Sequence, residues 1–151
     1  MIWSDRIIKE HRNNIIPFRE ELVQPNSYDI TLADRIFVND EMRFLPYTIR
    51  KGDFVLASTE EYFGIPQGVC AQVDGKSTLG RRGLVVHQTA GWIDSGFDGN
   101  ITLEITCVYK PVELTKGMRI GQIVFMDSYP CDKLYDGHYQ HQVGATIPYK
   151  N

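Results

Sequence analysis

Asp98-Gly99-Asn100-Ile101-Thr102-Leu103-Glu104-Ile105-Thr106-Cys107-Val108 opens on a turn signal and runs on through β-forming residues. Successive side chains of a strand point to opposite faces, so Leu103 and Ile105 share one face and Glu104 lies on the other. Comparable short apolar or alternating runs occupy 27–32, 54–58, 69–73, 84–87 and 122–126. Lys51-Gly52-Asp53, Pro66-Gln67-Gly68, Asp74-Gly75, Ser95-Gly96 and Lys116-Gly117 separate them as turn signals. Strands punctuated this often predict a mainly β fold, a distorted β-barrel or double-sheet jelly roll, rather than βαβ units. Ser4 followed by Asp5-Arg6-Ile7-Ile8-Lys9-Glu10-His11 predicts a short, capped N-terminal helix.

The chain of 151 residues fits one domain over 1–151. Residues 132–151 are rich in Tyr, His, Gln and Gly and poor in core formers, so they are either a frayed tail or a C-terminal arm that folds over something. A formal charge of −3 with scattered cations excludes the basic stripe of a nucleic-acid binder, while a small anionic ligand needs only a few cations. No apolar run is long enough for a membrane-spanning helix and no signal peptide is evident. Three widely spaced cysteines, Cys70, Cys107 and Cys131, argue against a disulfide framework; a cytoplasmic location is expected.

Two regions carry chemistry. Gly75-Lys76-Ser77-Thr78-Leu79-Gly80-Arg81-Arg82-Gly83 gathers hydroxyls and cations around glycines, a composition suited to phosphate or to a polar turn capping a short helix. It is not a P-loop, because Cys70 stands where that motif needs its first glycine. Glu104, on its strand, either faces water or is held inward for proton transfer. His87 is read from its type alone as a hydrogen-bonded structural histidine. Zinc is not expected: the His-x-Glu and Pro-Cys-x-x-Cys pair of zinc-dependent cytosine deaminases is absent, and His138 with His141 lacks further ligands nearby.

Taken in order, these blocks resemble the dCTP deaminase family, and most closely its bifunctional dCTP deaminase–dUTPase branch. The resemblance starts at Gln24-Pro25-Asn26-Ser27-Tyr28-Asp29-Ile30-Thr31-Leu32, passes through 75–83, 87–104 and Lys116-Gly117-Met118-Arg119-Ile120-Gly121-Gln122-Ile123, and ends in Tyr139-Gln140-His141-Gln142-Val143-Gly144-Ala145-Thr146. It implies a trimeric dUTPase-like fold with sites shared between neighbouring chains, and a deoxypyrimidine nucleoside triphosphate as substrate. Mg²⁺ would enter largely on the triphosphate. Glu104 matches the acid/base glutamate, a shuttle that works best with a pKa near neutrality. Ser77 matches the serine that positions water together with the backbone around Ala90, and Arg81 the arginine supporting developing charge. Lys76 and Thr78 match triphosphate-binding positions, and His87, Thr89 and Ala90 belong to the block that shapes the pocket. Ile93 and Asp94 fall where the deoxyribose is held. Gln122, Tyr135, Tyr139 and Gln142 match positions closing over base or phosphates.

Gly91 in Ala90-Gly91-Trp92 resembles the bifunctional branch, where a glycine leaves room for a water near the α-phosphate. Lys76 replaces a common arginine, Thr78 a serine, Ser95 a proline and His138 the arm lysine. The implied reaction converts dCTP to dUMP, ammonia and pyrophosphate. Two other readings are a dUTPase only and a non-catalytic nucleotide-binding regulator on the same scaffold.

Overall fold

The computed structural model describes residues 1–150 and is mainly β. Its strands are β1 (Ile15–Ile16), β2 (Val23–Gln24), β3 (Ser27–Thr31), β4 (Arg35–Val38), β5 (Glu41–Phe44), β6 (Tyr47–Ile49) and β7 (Phe54–Gly64). They continue as β8 (Val69–Gly75), β9 (Leu84–Val85), β10 (Trp92–Ile93), β11 (Asp98–Cys107), β12 (Val112–Leu114) and β13 (Arg119–Asp127). Two short α-helices, α1 (Asp5–Glu10) and α2 (Ser77–Gly80), and two 3-10 turns at Arg12–Asn14 and Glu20–Leu22 complete the regular structure of the described residues.

One sheet runs β5-β4-β7-β11-β9 with β1 also paired to β7, a second runs β10-β8-β13-β3-β2, and β12 pairs β6. The expected fold class holds in its double-sheet form; the sheets do not close into a barrel. Leu103 and Ile105 of β11, Ile30 and Tyr28 of β3, and Ile123 of β13 are all fully buried in one core. That alternation comes from the period-2 pattern read in the sequence. An isolated bridge between Leu32 and Thr59 joins the two sheets.

Three local features differ from the sequence reading or escaped it. Ser4 occupies the N-cap position of α1, but its side chain makes no capping bond; the helix starts instead with the Ile8 N–H donating to the Ser4 carbonyl. The β4–β5 hairpin turns on Asn39 and Asp40, both at positive φ of 50° and 65°, the two-residue turn whose twist suits paired strands. Glu61 is fully buried in β7 and is held by the Arg19 guanidinium at 2.7 Å and the Thr31 N–H at 2.9 Å. A buried carboxylate needs such partners to remain inside.

Gly83 joins the two chemistry-bearing regions. Its φ is +85°, and a Cβ there would lie 2.5 Å from the Tyr109 Cβ and 2.7 Å from the Tyr109 backbone nitrogen. Its carbonyl accepts from the Val108 N–H at 2.8 Å, which seats the turn after α2 against the end of β11. Gly83→Ala should therefore destabilise the fold by about 1–3 kcal/mol, read as a lower midpoint in urea or thermal unfolding.

Candidate active site

The outer face of β11 forms the floor of a cavity of about 260 Å³. Thr102 and Glu104 project from it, beside Leu56, the cross-strand partner of Glu104. A β-bulge after Asn100 lets Ile101 join the same wall: its N–H leaves the ladder and donates to the Thr59 hydroxyl at 3.0 Å. Ala90, Trp92, Ile93, Asp94 and Phe97 build the opposite side. The Trp92 indole N–H donates to Asp94 Oδ1 at 3.2 Å and orients that carboxylate.

Tyr135, Tyr139, Gln142, Thr146 and Pro148 of the C-terminal arm line the third wall. Asn100 anchors it three times: its N–H donates to the Gln142 carbonyl at 3.0 Å, its carbonyl accepts from Gln142 Nε2 at 2.7 Å, and its Oδ1 accepts from the Gly144 N–H at 3.0 Å. The Thr102 hydroxyl donates to Gln142 Oε1 at 3.3 Å and accepts from the Thr146 N–H at 3.2 Å. Upstream, the Tyr135 N–H donates to the Ser95 carbonyl at 2.8 Å, and the Tyr135 ring packs 5.8 Å from that of Phe97. The His138 ring, where the sequence lacks the expected lysine, stacks on Tyr149 at 3.8 Å. Asn151 lies outside the described residues.

Glu104 is half-buried, and its Oε2 accepts the Gln88 backbone N–H at 3.3 Å. The cavity thus combines a carboxylate and several polar groups with an aromatic and aliphatic wall, the makeup of a small-molecule slot. It brings together Ala90, Ile93, Asp94, Glu104, Tyr135, Tyr139 and Gln142 from the sequence reading. Trp92, Phe97, Thr102, Thr146 and Pro148 also line it. Sequence reasoning did not single these out as site residues, although Trp92 stands next to Ile93 and Thr102 two positions before Glu104, on the same face of the strand.

Lys76, Ser77, Thr78, Arg81, His87, Thr89 and Gln122 do not line this cavity. Lys76, Ser77, Thr78 and Arg81 lie at and around α2, beyond the end of β8. Lys76 pairs with the buried Asp29, to which Arg119 also reaches at 3.5 Å. Gln122 braces the same turn: it accepts from the Ser27 hydroxyl at 2.8 Å and donates to the Gly75 carbonyl at 3.0 Å. His87 packs on Gly91, where a Cβ would lie 2.8 Å from its Cε1. The imidazole thus lies directly against the face of Gly91 where a side chain would begin.

A family model described as dCTP deaminase-like matches residues 2–128. The chain belongs to that family. The "dCTP deaminase, dUMP-forming" of Acidothermus cellulolyticus is 38% identical, the match covering 97% of this chain and 93% of the relative. A protein of the same description from Methanosphaerula palustris is also 38% identical, over 87% of this chain and 83% of its own length. The first alignment spans 178 positions against the 151 residues here, so that relative has segments absent from this chain. Among solved structures, the 2′-deoxycytidine 5′-triphosphate deaminase of Agrobacterium tumefaciens superposes with a TM-score of 0.74 at 20% identity, covering 82% of this chain and 46% of that one. The dUTPase of Staphylococcus bacteriophage 80alpha gives 0.54 at 18% identity, over 74% of this chain and 82% of its own. These two likenesses establish the shared fold.

Proposed function

We propose that this member of the dCTP deaminase-like family deaminates dCTP hydrolytically and carries the product through to dUMP. The observation behind this reading is the position of Glu104, a carboxylate on a rigid strand at the floor of an amphipathic slot. Water adds to C4 of cytosine as Glu104 accepts its proton; the carboxyl then delivers protons to N3 and to the leaving amine. The C4–N4 bond breaks and ammonia departs, leaving dUTP. A second water attacks the α-phosphorus, the bond to the β-phosphate breaks, and dUMP and pyrophosphate remain.

Ile93 and Asp94 hold the deoxyribose by packing and by hydrogen bonding, and Tyr135, Tyr139 and Gln142 close the slot. Ser77, with the backbone near Ala90, orients the water, while Arg81 supports developing charge as a permanent cation. Lys76 and Thr78 contact phosphates; one N–H of the Lys76 ammonium on Asp29 leaves two for the substrate. His87, Thr89 and Gln122 support the pocket from behind. Mg²⁺ would be held by phosphate oxygens and water. Bound that way, the ion neutralises phosphate charge.

Among the described residues, no lysine, arginine or histidine lines the Glu104 cavity, which therefore offers a triphosphate no cation. We infer that a second copy brings Lys76, Ser77 and Arg81 to it, in a homotrimer with three equivalent sites. Incubation of the purified chain with Mg²⁺ and, separately, dCTP or dUTP tests the reaction. Release of dUMP, ammonia and pyrophosphate from dCTP is the expected result. Accumulation of dUTP would reduce the activity to deamination, hydrolysis of dUTP alone would make it a dUTPase, and binding without turnover would leave a nucleotide-binding regulator.

A further inference from the structure

We propose that Gln88 and Thr106 form a latch that holds the loop of residues 86–91 against β11 and thereby positions the Glu104 carboxylate; the proposal rests on the reading of Glu104 as proton carrier. Three residues at alternate positions of β11 face the same way: Thr102, Glu104 and Thr106. The arm engages Thr102 through Gln142 and Thr146. At the other end, Gln88 Nε2 donates to the Thr106 hydroxyl oxygen at 2.6 Å. The backbone N–H of the same Gln88 donates to Glu104 Oε2. Glu104 thus stands between two clamps, one made by the arm and one by the loop.

At 3.3 Å the bond to Glu104 is long. By itself it would hold the carboxylate weakly, because hydrogen-bond strength falls with distance. The shorter side-chain bond from the same residue fixes the loop backbone two strand positions away. Gln88 is then tied to β11 at two points and cannot shift without losing both. With Oε2 occupied, the rotamer of Glu104 is restrained, and among the described residues Oε1 accepts no hydrogen bond and stays available for water. The loop has no pairing of its own over 86–91 apart from the Gly91 carbonyl accepting from the Val73 N–H at 2.7 Å. The side chain of Gln88 is exposed, so its role here is bonding rather than packing. Gln88 and Thr106 act through Glu104 and are positioning residues.

Steady-state kinetics of ammonia release from dCTP with Mg²⁺, on the full chain, test the latch. Gln88→Ala and Thr106→Val should each lower kcat about tenfold, the scale of a lost hydrogen bond near a charged group. KM and the thermal midpoint should stay near their starting values. The double variant should be no slower than the slower single, because both substitutions open the same latch. Thr106→Ser, which keeps the acceptor oxygen, should restore most of the rate lost in Thr106→Val. Unchanged kcat in the single variants, independent losses that multiply in the double, or effects confined to KM or thermal stability would overturn the latch. Glu104→Gln is run alongside. Full turnover in that variant would defeat the proton-carrier reading and the latch with it. An inactive Glu104→Gln beside fully active Gln88→Ala and Thr106→Val would defeat the latch alone.

Discussion

Glu104→Gln is expected to lower the rate of ammonia release from dCTP by roughly a hundred- to ten-thousand-fold, the usual contribution of a positioned general acid/base. The amide preserves the shape and can still accept the Gln88 N–H, but it cannot take a proton from water and return it to N3. Glu104 is half-buried at the surface of a rigid strand whose inward neighbours Leu103 and Ile105 are fully buried. Replacing its outward side chain therefore leaves the core intact, and the thermal midpoint should hardly move. Nucleotide affinity, measured by isothermal titration, should also survive, since Asp94, Tyr135 and Gln142 remain in place. Retained deamination in this variant would require another group to carry the proton.

The second large effect separates a site within one chain from a site between chains. Glu104→Ala and Ser77→Ala should each give an inactive protein. Co-expressed with different tags and purified through both, they should recover activity. A site made from Glu104 of one copy and Ser77 of the next is intact when the first copy carries only the Ser77 change and the second only the Glu104 change. In a ring assembled at random from equal amounts, about a quarter of the sites meet that condition. Selection through both tags removes the unmixed rings and raises that share somewhat. If each site were built within one chain, no mixture would contain an intact one and activity would stay at zero. The physical ground for the expectation is charge: among the described residues the cavity around Glu104 holds Asp94 and no cation, while Lys76 and Arg81 belong to the turn at α2. A triphosphate beside two carboxylates with no cation would be repelled.

Much of this was legible along the chain because it depends on neighbours in sequence. Alternation from Ile101 to Cys107 placed Glu104 opposite Leu103 and Ile105, and the pattern of buried residues in β11 follows it. The ordered blocks from Gln24 through Thr146 gave the family. Turn residues such as Ser95-Gly96 and Lys116-Gly117 marked the breaks between strands, whereas Asp98-Gly99-Asn100 begins β11 and pairs with Tyr62–Gly64 of β7. Boundaries were less legible: β7 runs to Gly64, six residues beyond the expected end, because its far half pairs with β1 and with the start of β11. The hairpin at Asn39-Asp40 had a readable signal in its two turn-forming residues, though its strands lack a strong apolar pattern.

The sequence by itself determined the mainly β class, the family and the strand that carries Glu104, since these follow from side-chain period, turn chemistry and ordered local motifs. Only the tertiary structure decided which of those residues meet. It zipped the arm onto Asn100 and Thr102, put His87 into the space beside Gly91, and set Gln88 between Glu104 and Thr106. It also kept Lys76 and Arg81 out of the Glu104 cavity. Each of these depends on contacts between segments far apart in the chain, whose geometry is set by the packing of two sheets and has no counterpart in local periodicity.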